Sequence, residues 1–285
     1  MKGIILSAGK GTRLYPITVS TPKPLLPVYD KPMLYYPLDI LLKAGIKDIL
    51  IIIPPGDENE FRSYFGDGSS LGIKLSYKVQ EVARGIADAF ILGEEFIGND
   101  DVCLILGDNI FYGYAMEKAL KNINLKENGA LCFGLYAQNP RPFGVLEFDE
   151  NGVAVGIEEK PQRPKSNYII PGIYFYSSNV VDIAKNIKPS QRGELEITSV
   201  NNEYLKERKL DVIKLDRDIL WYDTGTPENM LLCSQSISLL QRYSNKLIGC
   251  VEETAFNMGF ISKEQMRELG EKISQSEYGK YLLGL

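Results

Sequence analysis

Residues 2–14 read Lys-Gly-Ile-Ile-Leu-Ser-Ala-Gly-Lys-Gly-Thr-Arg-Leu, and the reading of the fold starts there. A short apolar run, Ile4–Leu6, gives way to a loop of small residues that ends on a basic side chain. Apolar runs of this length beside glycine read as buried strands. Gly9 and Gly11 admit backbone conformations and close approaches that a Cβ would block. Successive N–H groups in such a loop can converge on phosphate oxygens, and Arg13 adds a charged fork. Two familiar phosphate loops do not fit. A Walker A loop has Lys-Ser/Thr after its last glycine, whereas Lys10 precedes Gly11; a dinucleotide fingerprint needs a third glycine near position 14, which is Leu14. Taken alone, the stretch is equally compatible with a plain glycine-containing turn.

Working outward, Asp48–Ile53, Leu75–Val79 and Val102–Leu106 repeat the same kind of apolar run. Between them Leu34–Ala44 and Ile86–Phe96 carry helix-period apolar positions. This alternation predicts an α/β fold, a Rossmann-like doubly wound sheet. After residue 130 the rhythm shortens. Leu131–Tyr136, Val145–Phe148 and Val153–Ile157 read as strands, with Asp149-Glu150-Asn151-Gly152 as a hairpin signal. Ile170–Tyr176 and Leu210–Leu215 follow, separated by helices near Val180–Ile187 and Glu194–Glu207, so the sheet is expected to be mixed. Thr226 and Pro227 open a helix over 227–243 whose apolar face holds Met230, Cys233, Ile237 and Leu240. The expected organisation is one α/β domain over 1–246, with halves at about 1–129 and 130–246, and a small helical appendage over 247–285.

Bulk composition narrows the chemistry. Histidine is absent, which removes Ser-His and Cys-His nucleophile systems and histidine-ligated metals. The four cysteines are widely spaced in apolar contexts, without zinc spacing, and read as reduced and buried. A net charge of −5 argues against a nucleic-acid-binding body. Residues 1–50, however, hold seven Lys/Arg against three acids. A basic start on an acidic chain suits a small anionic ligand. No apolar run is long enough to cross a bilayer and no basic-then-apolar leader opens the chain, so a cytoplasmic protein with no membrane partner is expected.

Four further stretches could carry chemistry. Val102–Leu106 runs through Gly107 into Asp108, so this acid points at the rim where ligands bind in open α/β sheets. Asp223 in Trp221-Tyr222-Asp223-Thr224-Gly225-Thr226 follows another short apolar segment. Either acid alone could merely cap a helix. Two of them beside a basic phosphate loop suggest a Mg²⁺ site shared with phosphate oxygens. Glu158-Glu159-Lys160 could recognise a sugar hydroxyl and a sugar phosphate, or be a solvated charge cluster. Arg192-Gly193-Glu194-Leu195-Glu196 could be no more than a helix start with favourable acids.

Taken together, the opening loop, Pro27–Pro37, Leu106–Gly113 and Trp221–Thr226 resemble the sugar-1-phosphate nucleotidylyltransferases, and among them the thymidylyl-transferring members. The resemblance runs in order along the chain. It implies the nucleotidyltransferase fold and the substrates dTTP and glucose 1-phosphate, with dTDP-glucose and pyrophosphate as products. It implies that Leu6, Ala8, Gly9, Gly11, Thr12, Arg13, Lys23 and Asp108 hold the nucleotide, while Gln80 and Gly85 read the base. Asn109, Gly144, Glu159, Ile170 and Tyr174 would line the sugar, Lys160 and Arg192 would grip its phosphate, and Asp108 and Asp223 would bind Mg²⁺. Arg13, Lys23, Lys160 and Arg192 would act in catalysis. A homotetramer with a regulatory site at subunit contacts is also implied. Three positions depart from the family pattern: Ala8 for a glycine, Thr21-Pro22-Lys23-Pro24 for a Ser-Lys-Gln stretch, and Pro227 for a histidine. Pro-Lys-Pro is more usual in relatives that use other nucleotides, which leaves UTP as the alternative to dTTP.

Overall fold

The computed structural model describes residues 1–285. The chain opens with β1 (Lys2–Leu6), a run of short turns, a small hairpin of β2 (Pro27–Val28) and β3 (Lys31–Pro32), and helix α1 (Tyr35–Lys43). It continues through β4 (Asp48–Ile53), α2 (Glu58–Phe65), β5 (Lys74–Val79), α3 (Asp88–Leu92), α4 (Glu94–Ile97) and β6 (Val102–Leu106). β6, β1, β4 and β5 lie side by side and parallel. β4 shows why: Ile49 to Ile53 are all buried, so both faces of this strand need cover. Gly3 lets α1 come close, since a Cβ there would stand 2.9 Å from Leu41 Cδ1.

The remainder comprises β7 (Asn109–Tyr112), α5 (Tyr114–Leu120), β8 (Ala130–Tyr136), β9 (Gly144–Phe148), β10 (Ala154–Glu159), β11 (Tyr168–Ile169), β12 (Ile173–Tyr176), α6 (Val180–Asn186) and α7 (Ile197–Lys206). Then come β13 (Leu210–Lys214), β14 (Leu220–Asp223), α8 (Pro227–Ser244), α9 (Val251–Asn257), α10 (Lys263–Lys272) and α11 (Glu277–Gly284). β12 pairs antiparallel with both β6 and β8, so the second half extends the same sheet rather than forming another. The expected α/β class and mixed sheet are what the structure has. β7 and β14 pair with each other on one side, opposing Asp223 to Asn109. Of the last three helices α9 packs on α1, α10 on α9 and α11 on α10, and Cys250, Val251, Ala255, Met266 and Leu282 join the main core.

Three predicted elements differ in ways that matter for the site. The helix expected over Ile86–Phe96 is broken into α3 and α4 around Gly93, which lies against Ile4. Of Ile170–Tyr176 only Ile173–Tyr176 is strand, and Ile170-Pro171-Gly172 separate it from β11; a Cβ on Gly172 would stand 2.7 Å from Leu106 and 2.8 Å from Asn109. The helix expected from Glu194 begins at Ile197. Leu195 instead lies outside any helix or strand, its N–H donating to Arg84 O (2.6 Å) and its carbonyl accepting from Ala87 N–H (3.1 Å).

Candidate functional site

The strand order 5-4-1-6 reverses direction of travel at β1 and β6, the place where open α/β sheets bind ligands. The loop after β1 and the acid after β6 therefore face one opening. A cavity of about 430 Å³ lies there, walled by Leu6, Gly9, Gly11, Thr12, Arg13, Lys23 and Asp108. Gly11 has a φ of +61° and a Cβ on it would meet Thr18 at 2.8 Å, so the loop's turn needs glycine. A second cavity of about 150 Å³ is walled by Asn109, Gly144, Glu159, Lys160, Ile170, Tyr174 and Asp223. Ile86 and Leu106 line both, so the two spaces adjoin.

The two acids meet at that junction by way of the β7–β14 pairing. Thr224 completes the join, donating from N–H and Oγ1 to Asp108 O at 3.0 and 2.7 Å. Lys23 forms an ion pair with Asp108, whose other oxygen accepts from Asn109 Nδ2 at 3.0 Å. Burial works to raise the Asp108 carboxyl, but the Lys23 ammonium and these hydrogen bonds outweigh it and hold it below the usual range. Asp223 goes the other way: burial and the Asp108 charge raise it, against the weaker pull of Lys23 and Arg13. Arg13 reaches it across Gly225, where a Cβ would stand 2.5 Å from Arg13 Nη2 and 2.7 Å from Asp223 Oδ1.

This donor set fits a hard divalent cation. Two carboxylates that burden each other with like charge are relieved by a cation between them. No cluster of three or more His, Cys, Asp or Glu exists, so phosphate oxygens and water would complete the shell.

In the second cavity, Thr198 Oγ1 donates to Glu159 Oε2 at 2.5 Å, and Trp221 Nε1 donates to Asn109 Oδ1 at 2.8 Å. Lys160 has a φ of +47°, a left-handed backbone uncommon for a non-glycine residue, and its N–H donates to Phe143 O at 3.0 Å. Strained conformations of this kind cluster at functional sites.

Four expected residues do not line either cavity. Arg192 is held by Glu196 (2.8 Å) and Glu194 (3.2 Å), with Glu159 at 3.9 Å. Ala8 is buried beneath the loop. Gln80 is buried at the end of β5, and Gly85 packs on Leu195. Sequence reasoning missed Ile86, Leu106, Thr198 and Gly225. A glycine two residues after an acid was a signal for Gly225; Thr198 sits mid-pattern on α7 and gave none.

A model of the nucleotidyl transferase family matches residues 2–238, and the chain belongs to that family. Within it, the chain is 52% identical over its full length to 99% of the glucose-1-phosphate thymidylyltransferase of Neisseria meningitidis serogroup A. It is 47% identical, with the same coverage, to the glucose-1-phosphate thymidylyltransferase of Mycolicibacterium smegmatis. A Bacillus anthracis structure described as a glucose-1-phosphate thymidylyltransferase in complex with sucrose superposes with a TM-score of 0.76 at 42% identity, covering 83% of this chain and 94% of that one. A UDP-glucose pyrophosphorylase complexed with UDP-glucose shares the fold, with a TM-score of 0.73 at 23% identity over 86% and 99%.

Proposed function

We propose that this protein transfers a thymidylyl group from dTTP to α-D-glucose 1-phosphate, giving dTDP-glucose and pyrophosphate, the first step of dTDP-sugar synthesis. The observation that carries the reading is the pair of adjoining cavities with Asp108 and Asp223 at their junction. One has the loop, Arg13 and Lys23 for a triphosphate. The other has Glu159, Tyr174 and Lys160 for a sugar and its phosphate.

A sugar-phosphate oxygen attacks the α-phosphorus; the bond to the bridging oxygen breaks and pyrophosphate leaves with the electron pair. With a second pKa near about 6, the phosphate monoester is already largely dianionic at neutral pH. No general base is needed, which suits a chain without histidine. The demands that remain are positioning and charge neutralisation. Lys160 steers the nucleophile, joined by Arg192 once it turns from Glu196. Arg13 and Lys23 stabilise the departing charge. Asp108 and Asp223 would hold Mg²⁺, which when bound neutralises phosphate charge.

The test is pyrophosphate release across dTTP, UTP and several sugar 1-phosphates. The highest kcat/KM is expected for dTTP with glucose 1-phosphate. Binding without pyrophosphate release would make the protein a nucleotide-sugar sensor instead. UTP use is the second reading, favoured by Pro24, which lines the nucleotide cavity beside Lys23.

We also propose a cytoplasmic homotetramer with a regulatory site. In support, α8 leaves Leu231, Leu232, Leu239 and Tyr243 exposed, a patch suited to a subunit contact. A further cavity of about 540 Å³ lies between Asp39, Lys43, Tyr114, Glu117 and the 246–257 segment. The four cysteines are free and buried, and no helix is long and apolar enough to cross a membrane.

A further inference from the structure

Gln80 and Asp88 form a buried pair that none of the proposed chemistry uses directly. Asp88 opens α3 with 1% of its surface exposed, and Gln80, the residue after β5, is 5% exposed. Asp88 Oδ2 accepts from Gln80 Nε2 at 2.8 Å, and its Oδ1 accepts from Arg84 Nη2 at 2.7 Å. The contact with Arg84 is an ion pair. A carboxylate only accepts hydrogen bonds, so the amide facing it must present its NH₂ group. The two faces of a glutamine amide are otherwise nearly equivalent in shape. Here the choice is made by the neighbour: turning the amide over would set Oε1 against the Asp88 oxygens, two acceptors in contact.

We infer that Asp88 is a positioning residue that fixes which end of the Gln80 amide meets the nucleobase, and thereby sets a preference for an imide-bearing pyrimidine. The inference rests on the proposed function and on Gln80 reading the base, the role that the resemblance implies for it. With Nε2 turned to Asp88, Gln80 has its carbonyl oxygen and one N–H to offer. That acceptor-and-donor pair complements the N3–H and O4 edge shared by thymine and uracil. Cytosine shows the opposite pair, an acceptor at N3 and a donor at N4, and matches only the overturned amide. Sites that hydrogen-bond a substrate group reject its mismatch strongly because buried polar groups are left unpaired. Asp88 therefore acts against cytosine without touching it.

The test compares kcat/KM for dTTP and dCTP, with glucose 1-phosphate and Mg²⁺, in the wild type, Asp88→Asn, Asp88→Glu and Gln80→Ala. An asparagine can face Gln80 with either a donor or an acceptor, so the amide is freed to turn. The dTTP:dCTP ratio is expected to fall by about tenfold or more in Asp88→Asn, and to be retained in Asp88→Glu. Should Asp88→Asn fail to fold, Asp88→Ser offers the same freedom. Equal loss for both nucleotides in Asp88→Asn would mark Asp88 as a purely structural group and overturn the inference. An unchanged ratio in Gln80→Ala would overturn it as well, because Gln80 would not read the base. Both outcomes leave dTTP turnover by the wild type intact. Absence of that turnover would instead be a failure of the proposed function.

Discussion

The larger of the two adjoining cavities, beside the β1 loop, and the smaller, beside Glu159, share a rim but are assembled differently. The first takes most of its wall from residues 6–13, 23–24 and 106–108, at the ends of neighbouring parallel strands. The second draws on the 142–144 turn, the end of β10, the 170–174 break, the start of α7 and β14. Parallel strands deliver a site as contiguous motifs, since each strand ends where its loop must act. An antiparallel extension delivers it as single residues scattered along the chain. The cations differ within the first cavity as well: Lys23 is buried against its acid while Arg13 is exposed, and in the second the Lys160 side chain is 47% exposed. The first cavity therefore has one cation buried against an acid, and the cation of the second is half exposed.

The sharpest way to break this contrast is Arg13→Ala. It should lower kcat by on the order of 10² or more, as loss of a transition-state charge partner does. A raised KM for dTTP at unchanged kcat would reduce Arg13 to a binding group and make the two cavities alike. Thr198→Val, which removes the hydrogen bond to Glu159, should lower kcat/KM for glucose 1-phosphate about tenfold through KM, with little change in kcat. An equal effect on the dTTP KM would show that the cavities are not separate.

The smallest effect is on stability. The Asp223 carboxyl is raised by burial and by Asp108, so its ionisation costs the folded state. Stability that this group contributes when protonated is lost as pH rises through its folded-state pKa. Ligand-free Asp223→Asn should therefore melt a few degrees higher than the wild type at pH 7. The gap should close below about pH 4, where both side chains are neutral. The same variant should need more Mg²⁺ for activity. An unshifted metal titration would remove Asp223 from the metal site.

The contrast also explains what the sequence made legible. Ile4–Leu6 with Gly9 and Gly11 announced a strand and a phosphate loop because both signals are local. Asp108 was readable as a strand-end acid. That Asp223 stands beside it was not readable from patterning, because it depends on β14 pairing with β7 more than a hundred residues away in sequence. The start of α7 was misjudged because Glu194-Leu195-Glu196 has helix-start composition, while the backbone of Leu195 is claimed by Arg84 and Ala87. Tertiary hydrogen bonding overrode local preference at Leu195. Arg192 was expected among the sugar-phosphate ligands, and in the structure Glu194 and Glu196, two and four residues further on, hold it.

Those two hydrogen bonds of Leu195 have a consequence for building hybrids of this family. Gly85, with a φ of +110°, lies so close to Leu195 that a Cβ would stand 2.5 Å from its carbonyl oxygen. The strip 84–87 belongs to the first half of the chain and Leu195 to the second, yet they share one short ladder. A chimaera joined near residue 129 would inherit each side from a different parent. It should fold from the sheet alone but keep this join only where one parent supplies a glycine at 85 and the other leaves the backbone of 195 free to bond it.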